Sequence, residues 1–381
     1  MSPSTQSVQI HLTSAAGELV LEAGPSRCDL GAEHILIIGG GVTGLTTAWA
    51  LLDAGYQVTV VSDRWANPKN RITSQIAGAL WERPPAVCGR HTDVISLEHS
   101  KGWAMTSYHV FEKLMELLPA EAHGYEKMIE IEHCGVAGFK RDPNLVKQHA
   151  VNQRASVVDS YRHLAPVVDT DHYMDKLLSK YGAHAIVNAT GLSAVELAGD
   201  ETVYPLRGAL IRVVNDGKSF PKVTEALAVG IDDAHRDEQD LVCIVLRNDN
   251  VLILGGIAQP RQWNLDLTLE SPEIVRMRER CNDFVPGLDN AEYDPDAPLV
   301  QGNRPARSEN VRVEREMRLK ADGSASRIVH SYGQGGSGFS LSFGCAGEVL
   351  GLLKELSLGV SPARMAQRGR VLAADLARAH L

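Results

Sequence analysis

Glycines with a fixed spacing are the residues whose chemistry is easiest to infer in this chain. Gly39, Gly41 and Gly44 satisfy the pattern G-x-G-x-x-G. In such a loop the first glycine permits a tight turn, the second lets a pyrophosphate approach the backbone, and the third lets a helix pack closely on a strand. The helix that follows points its N-terminal N–H groups at the phosphates. The spacing therefore predicts a dinucleotide-binding loop, with a ligand-free glycine turn as the alternative, and it does not distinguish NAD from FAD.

The patterns on either side of this loop are those that a dinucleotide site requires. Residues 34–38 form a short apolar run typical of a strand buried on both faces, residues 42–54 have helical spacing, and residues 57–62 predict a second strand. Together they predict a βαβ unit. Asp63 follows Gly44 by nineteen residues, at the end of the second strand, where its carboxylate can accept hydrogen bonds from a ribose hydroxyl.

The rest of the chain predicts a mixture of helices and two kinds of sheet. Residues 205–300 contain strand-like runs separated by polar turns, which is typical of an antiparallel sheet. Residues 1–33 are polar and aperiodic, and we expect them to pack loosely or to stay mobile. Helices are predicted at residues 97–118, 173–181 and 340–356, and strands at residues 185–191 and 328–330.

A second group of glycines lies near the other end of the chain. Gly333, Gly335, Gly336 and Gly338 crowd the loop before the last predicted helix. Side chains here would block a flat ring system, and the following helix would direct its positive N-terminal end at that ring. A glycine-rich turn before a core helix is the alternative interpretation.

Residues 330–346, which include this loop, resemble the flavin-contacting C-terminal motif of D-amino-acid and D-aspartate oxidases. The resemblance covers nearly all of the chain from His34 to Leu356. It implies FAD rather than NAD, and an α/β fold in which a doubly wound, Rossmann-like FAD-binding domain is interleaved with an antiparallel-sheet substrate domain. Further segments agree in the same order, namely the first glycine loop and residues 62–64, 77–81, 187–191, 254–256 and 304–307.

The predicted domain organisation is discontinuous. Residues 1–33 are an N-terminal extension, residues 93–154 a helical insertion, and residues 205–304 the substrate-binding domain. The FAD-binding domain comprises residues 34–92, 155–204 and 305–381.

The resemblance also implies which residues contact the cofactor and the substrate. Arg304 aligns with the carboxylate-binding arginine of the family, and a guanidinium can clamp a carboxylate with two parallel hydrogen bonds. A surface ion-pair cluster with neighbouring charges is the alternative for Arg304. Gly336 offers its carbonyl to the substrate amine, so Arg304 and Gly336 are the predicted catalytic residues, and Trp81, Ile244 and Arg247 complete the predicted substrate site. The expected FAD contacts are Gly39, Gly41, Val42, Thr43, Gly44, Asp63, Arg64, Thr73, Ser74, Gly78, Ala79, Leu80, Thr190, Gly191, Gly335, Gly336, Ser337, Gly338, Phe339 and Ser340.

Two features depart from the family pattern. The family places tyrosines on the sheet above the flavin, whereas residues 242–247 contain none, and Ile244 stands at about the position of the phenol. Either Arg304 works alone, or Arg247 assists it, or the substrate is not an ordinary free D-amino acid. An additional strand on the adenine side is also replaced by residues 182–184; either residues 156–168 compensate or FAD is held less tightly.

The function that the resemblance implies is oxidation of a D-amino acid or related amino-carboxylate. A hydride passes from the α-carbon to flavin N5, oxygen reoxidises the flavin to give hydrogen peroxide, and the imino acid hydrolyses to a keto acid and ammonia. Positioning rather than an acid–base side chain supplies the catalysis. Two alternatives stay open: a specialised biosynthetic amine oxidase acting on a larger or less polar substrate, and a flavin-binding protein without turnover.

Composition limits the partners. The formal net charge is −9, without a sustained Lys/Arg block, which argues against nucleic acid and anionic membranes. The six cysteines show no C-x-x-C spacing, so no metal site is expected. No stretch approaches the roughly 20 apolar residues that span a bilayer. The C-terminal tripeptide Ala379, His380 and Leu381 is similar to the peroxisomal signal S-K-L, so we expect a peroxisomal or cytoplasmic location. The expected partners are a small amino-carboxylate and molecular oxygen, and a homodimer is left open.

Overall fold

The protein is described by a computed structural model. It describes residues 8–13, 19–25, 27, 32–82, 84, 92–117, 125–131, 140–141, 161–168, 185–229, 242–248, 250–317 and 326–363. The helices are α1 (Val42–Asp53), α2 (Thr73–Ile76), α3 (Val94–Leu117), α4 (Ala194–Ala198), α5 (Pro272–Phe284) and α6 (Ser342–Ser357). The strands are β1 (Val8–Thr13), β2 (Leu19–Pro25), β3 (His34–Ile38), β4 (Gln57–Val61), β5 (Tyr125–Ile131), β6 (Lys140–Arg141), β7 (Tyr161–Val168), β8 (Ala185–Asn188), β9 (Val203–Val214), β10 (Leu227–Val229), β11 (Val242–Asn248), β12 (Val251–Gly255), β13 (Gln259–Pro260), β14 (Leu299–Arg307), β15 (Arg312–Arg315) and β16 (Ile328–Tyr332).

A five-stranded sheet with the order β15-β16-β8-β3-β4 forms the nucleotide-binding half. Four strands run parallel and β15 pairs antiparallel at one edge. Ile35, Ile37, Val187 and Val329 are completely buried, as expected for strands covered by helices on both faces. The chain leaves β3 for α1 and β4 on one side, while β8 lies on the other side of β3, so a crevice opens at the carboxyl ends of β3 and β8. The predicted βαβ unit is confirmed.

A second sheet, of six strands, has the order β10-β11-β12-β9-β13, and β14 pairs along β9. The described pairs are antiparallel, which confirms the prediction for residues 205–300. Helix α5 covers one face of this sheet, with Ile274, Met277 and Cys281 buried in the same core cluster as Ile244. The other face is turned toward α2, whose Ile76 packs against a small buried cluster of sheet residues.

The N-terminal segment contradicts the expectation of an aperiodic extension. Strands β1 and β2 pair antiparallel as a hairpin. Leu12 and His11 are buried, and the Leu12 N–H donates to Asp53 of α1 at 2.7 Å. The reason lies in the alternation of Val8, Ile10 and Leu12 with polar residues, a period-two pattern that the polar composition of the segment concealed.

Residues 93–154 contain more than the predicted helical insertion. Helix α3 is present, and its Ser107 bonds the start of α6. Strands β5 and β6 lie in the same segment and form a three-stranded sheet with β7, in the order β5-β7-β6. The predicted helix at 173–181, residues 182–184 and the C-terminal tripeptide lie outside the described residues, and the domain boundaries stay a prediction.

Candidate active site

The two glycine loops meet in space, although about 300 residues separate them. A Cβ atom built on Gly338 would lie 3.3 Å from Cγ1 of Val42, the first residue of α1. Val42 and Phe339 belong to one buried cluster that joins α1 to α6, together with Leu45 and Phe343. The surfaces predicted to hold opposite ends of one ligand are therefore adjacent.

The first loop has the geometry that its glycines predicted. Gly39 has a φ of +125°, and a Cβ there would lie 2.2 Å from the carbonyl oxygen of Ala189. A Cβ at Gly44 would lie 2.0 Å from the carbonyl oxygen of Gly39, so the helix can approach the turn only without a side chain. At Gly41 the nearest atom is the Oγ of Ser74, at 3.3 Å.

The N-terminus of α1 suits an anion. The N-cap residue Gly41 has no side chain to cap the helix, and no acidic residue lies in its first turn. The Val42 N–H donates to Ser74 Oγ at 3.0 Å, and the Gly40 N–H donates to Ser62 Oγ at 3.1 Å, so two hydroxyl groups line the loop. Because the positive end of the helix dipole is not neutralised by a carboxylate, this loop fits the pyrophosphate of a dinucleotide.

The other expected cofactor residues surround this crevice. Asp63 and Arg64 follow β4 and are highly exposed, and their charged groups are 3.4 Å apart. Gly78 has open space around its Cα, and Ala79 has a φ of +57°. Thr190 follows β8 beside Gly39. As FAD contacts these residues stay predictions, as do Thr43, Thr73, Leu80, Gly191, Gly335, Ser337 and Ser340.

Arg304 is held where a carboxylate clamp is expected. Its side chain crosses β9 above Gly208, where a Cβ would lie 2.3 Å from Nη1. It also runs past Gly336, whose built Cβ would lie 3.7 Å from Cδ of Arg304. Burial lowers the pKa of this guanidinium from its usual value, and the nearby Cys243 thiol acts in the opposite direction. Among the described residues its recorded acceptor is the Ile257 carbonyl, 3.1 Å from Nη1, and no carboxylate lies within ion-pair distance.

The sheet register places Ile244 on the face opposite to Arg304. Directly opposed residues of an antiparallel pair share a face, and Val245 is opposite Ile253. Ile253 packs with Leu210, which lies two residues from Gly208 and therefore on the face that carries Arg304. Cys243, two residues before Val245, shares that face. Ile244 points the other way and is completely buried in the core under α5.

Two other predicted substrate contacts, Trp81 and Arg247, stay predictions, and the structure shows what each side chain contacts within the protein. The Trp81 indole is buried, donates to the Ala104 carbonyl of α3 at 3.1 Å, and packs edge-on against Tyr108. Arg247 is on the same sheet face as Cys243 but is only 2% exposed, and its guanidinium donates to the Ala77 carbonyl. Arg247 thus ties the antiparallel sheet to the segment before Trp81.

Three residues of the site were missed at the sequence level. Gly208 makes room for Arg304, and Cys243 faces it. Glu82 follows Trp81, and its N–H donates to Ser340 Oγ at 3.4 Å. Burial raises the pKa of the Cys243 thiol to about 12, with the negative charge of Glu82 adding to the effect and Arg304 opposing it. The sequence alone could not place Cys243 on the same sheet face as Arg304, because this requires the pairing register of β9, β12 and β11.

The described part of the chain contains neither a cluster of metal-ligating side chains nor a membrane-spanning helix. Its His, Cys, Asp and Glu side chains form no cluster of three that could hold a metal ion. Cys243, Cys281 and Cys345 are free thiols, whereas Cys28, Cys88 and Cys134 lie outside the described residues. None of the helices described is long and apolar enough to cross a membrane.

Comparison with known proteins agrees with this geometry. The family described as "DAO: FAD dependent oxidoreductase" matches residues 34–164 and 131–351. The D-amino-acid oxidase of Rubrobacter xylanophilus is 29% identical, covering 83% of this chain and 94% of that protein. The D-amino-acid oxidase of Streptomyces coelicolor is 30% identical, covering 83% of this chain and 95% of that protein. The glycine oxidase structure from Geobacillus kaustophilus has the same fold, with a TM-score of 0.62, 14% identity, and coverage of 84% of this chain and 94% of that one. The chain therefore belongs to the DAO family of FAD-dependent oxidoreductases, with FAD as its cofactor and amines as its electron donors.

Proposed function

We propose that the enzyme oxidises a small amino-carboxylate, a D-amino acid or a close analogue, at the carbon that bears the amine. The products are an imino acid, which water hydrolyses to a keto acid and ammonia, and hydrogen peroxide. The observation that carries the proposal is the environment of Arg304: a half-buried, desolvated guanidinium on the sheet face that is turned toward α2, beside the second glycine loop, with no carboxylate in ion-pair distance among the described residues.

A desolvated charge of this kind is stabilised by an anion. Removing a guanidinium from water is costly unless a counter-charge or several hydrogen bonds replace the lost solvation. The Ile257 carbonyl supplies one acceptor, at Nη1. A substrate carboxylate would supply two more in a planar, bidentate arrangement, which is the geometry that arginine recognises best.

The second glycine loop orients the other end of the substrate. Gly336 lies against the Arg304 side chain, so its backbone is within the length of an amino acid from the guanidinium. Its carbonyl would accept a hydrogen bond from the neutral amine, and the two contacts together would fix the α-carbon. Bound FAD supplies the hydride acceptor and, with molecular oxygen, the route to peroxide. The residues contribute by positioning rather than by proton transfer.

The sheet face beside Arg304 lacks the tyrosine that the family pattern has on the aligned strand. Cys243, Val245, Leu210 and Ile253 share the face with Arg304, and no phenol stands among the strand β11 residues. Strand β11 thus offers no tyrosine hydroxyl to the substrate carboxylate. Arg247 donates to the Ala77 carbonyl instead, so in this proposal Arg304 alone binds the carboxylate. The same observation favours the second candidate function, oxidation of a larger or less polar amine.

The test is anaerobic reduction of the bound flavin by a panel of D- and L-amino acids, N-methyl amino acids and larger amines, followed by peroxide measurement after air is admitted. Small D-amino acids should bleach the flavin and yield one peroxide per imino acid. Bleaching by uncharged amines only would replace the first candidate with the second. Absence of bleaching across the panel would leave a flavin-binding protein and overturn both.

Arginine variants test the clamp. Arg304→Ala should raise KM for an amino-carboxylate by about 100-fold, because a charge-assisted bidentate contact is worth about 3 kcal/mol. Arg304→Lys should recover only part of this, because an ammonium cannot make the paired contact. Arg276→Ala, on the exposed side of α5, is the matched control and should leave KM unchanged. An unchanged KM in Arg304→Ala would exclude the clamp.

A further inference from the structure

Three side chains form a buried hydrogen-bonded chain behind the phosphate loop. Glu316 follows β15, His330 lies on β16 and Asn188 on β8, which are neighbouring strands in the parallel sheet. Their exposed fractions are 5%, 2% and 6%. His330 Nε2 lies 3.2 Å from Glu316 Oε2, and His330 Nδ1 lies 3.3 Å from Asn188 Nδ2. None of them belongs to the residues expected to contact FAD.

This series of hydrogen bonds ends at Thr190. The Asn188 Oδ1 accepts two hydrogen bonds from this residue, one from its hydroxyl at 2.7 Å and one from its N–H at 3.2 Å. Thr190 is half-buried and lies directly beside Gly39, whose built Cβ would be 3.3 Å from the Thr190 nitrogen. The same turn packs the Ala189 carbonyl against Gly39. Thr190, the last residue in this series of hydrogen bonds, therefore contacts Gly39, the first glycine of the phosphate loop.

The hydrogen bonds described among these residues fit one arrangement of protons. The Asn188 oxygen is occupied by two donors from Thr190, so the Asn188 amide must donate to His330 Nδ1. Nδ1 is then unprotonated, and the proton of the neutral imidazole is on Nε2, where the Glu316 carboxylate accepts it. Each group helps to fix the orientation of the next, so the direction of the Asn188 amide is coupled to Glu316, which is two hydrogen bonds away.

We infer that Glu316, His330 and Asn188 are positioning residues for FAD, which hold the Thr190 hydroxyl and the adjoining turn against the phosphate loop. Without Glu316 the imidazole loses the acceptor that selects its tautomer, and the Asn188 amide can rotate. Rotation would present NH2 to the two Thr190 donors, and the turn beside Gly39 would lose its anchor. The inference concerns affinity for the cofactor and does not depend on which amine is oxidised.

The experiment measures the FAD dissociation constant of the apoprotein by titration of FAD fluorescence, with circular dichroism as the check on folding. Glu316→Leu and Thr190→Val should each weaken FAD binding by about 10-fold, the upper end for one neutral hydrogen bond. The double variant should be weakened no further than the poorer single variant, because both changes break the same chain. Glu316→Gln keeps an acceptor for Nε2–H and should bind FAD within about 3-fold of the wild type.

A matched control comes from the same strand. Tyr332 Oη donates to Asp200 at 2.9 Å, and no hydrogen bond among the described residues links this pair to Thr190. The Tyr332 ring packs edge-on against His330, and phenylalanine keeps that contact. Tyr332→Phe should lower the unfolding midpoint of the apoprotein and leave the FAD dissociation constant unchanged. If Glu316→Leu fails to fold, His330→Phe removes both nitrogen atoms without opening a cavity and takes its place. An unchanged FAD dissociation constant in the folded variant, or losses that multiply to about 100-fold in the double variant, would overturn the inference.

Discussion

The guanidinium of Arg304 passes directly over Gly208, so that a methyl group on Gly208 would lie 2.3 Å from Nη1 and 2.5 Å from Cζ. Gly208 is opposite Gly302 in the register of β9 and β14, and Arg304 is opposite Leu206. The arginine reaches the crevice only by crossing its neighbouring strand at the position without a side chain. The proposed clamp therefore depends on two residues, of which Gly208 has no functional group.

Gly208→Ala should impair substrate binding without unfolding the protein. The clashing atoms are the far end of a flexible side chain, so the guanidinium can move aside while the sheet stays intact. We expect KM for an amino-carboxylate to rise by about 10-fold or more, with a smaller change in kcat, since a displaced bidentate contact is worth at least about 1.4 kcal/mol. Steady-state kinetics provide the measurement. Gly351→Ala, where a Cβ meets nothing within 4 Å, is the control; equal KM values in the two variants would contradict the prediction.

Two glycines of the cofactor site should respond differently to alanine. At Gly39 alanine meets both a φ of +125° and the Ala189 carbonyl at 2.2 Å, so Gly39→Ala should destabilise the apoprotein by about 1–3 kcal/mol. At Gly78 nothing lies within 4 Å, and Gly78→Ala should leave the apoprotein unchanged. Urea unfolding without FAD separates them. Similar unfolding free energies for the two variants would show that the turn does not require a glycine at position 39.

The N-terminal hairpin should contribute to the stability of the nucleotide-binding half. Leu12 is 6% exposed and packs in the cluster that contains Val42 and Phe339. Leu12→Ala should lower the free energy of unfolding by about 2–3 kcal/mol, within the range for buried leucines. Leu197→Ala, at a position that is 62% exposed, should change it by less than about 0.5 kcal/mol. A Leu12 variant as stable as the Leu197 variant would mean that the hairpin does not dock in solution.

Alkaline pH should destabilise the fold through Cys281. Burial raises the pKa of this thiol from 9.0 to about 12. Between these values the folded protein keeps the proton and the unfolded chain loses it, so the unfolding free energy falls as pH rises through the window. One such group costs roughly 1 kcal/mol between about pH 8 and about pH 10. Cys281→Ala removes this dependence and adds a constant cavity cost, so its urea midpoint should fall less with pH than that of the wild type. Parallel pH profiles would argue against a buried neutral thiol.

Local patterns predicted most of the structural elements that depend on residues close in sequence. The strand at 34–38, the glycines at 39, 41 and 44 and the helix after them form one βαβ unit, in which spacing alone sets which backbone groups face a phosphate. The antiparallel sheet was predicted for the same reason, because alternation and turns are short-range signals. The hairpin of β1 and β2 has such a signal too, in the alternation of apolar and polar residues along β1. The polar composition of the segment concealed this alternation, so the hairpin was not predicted.

The sequence by itself determined the family and, through that resemblance, the cofactor, because the two glycine loops and the C-terminal motif are visible without coordinates. The role of Arg304 stays a prediction. Only the tertiary structure decided which neighbours these residues have. Cys243 rather than Ile244 faces Arg304 because a strand exposes alternate residues, and the register across β9, β12 and β11 sets the alternation. Trp81 packs against Ala104, and Gly208 lies beneath Arg304, because strands and helices distant in sequence meet there. Such contacts depend on packing between elements, which no local pattern encodes.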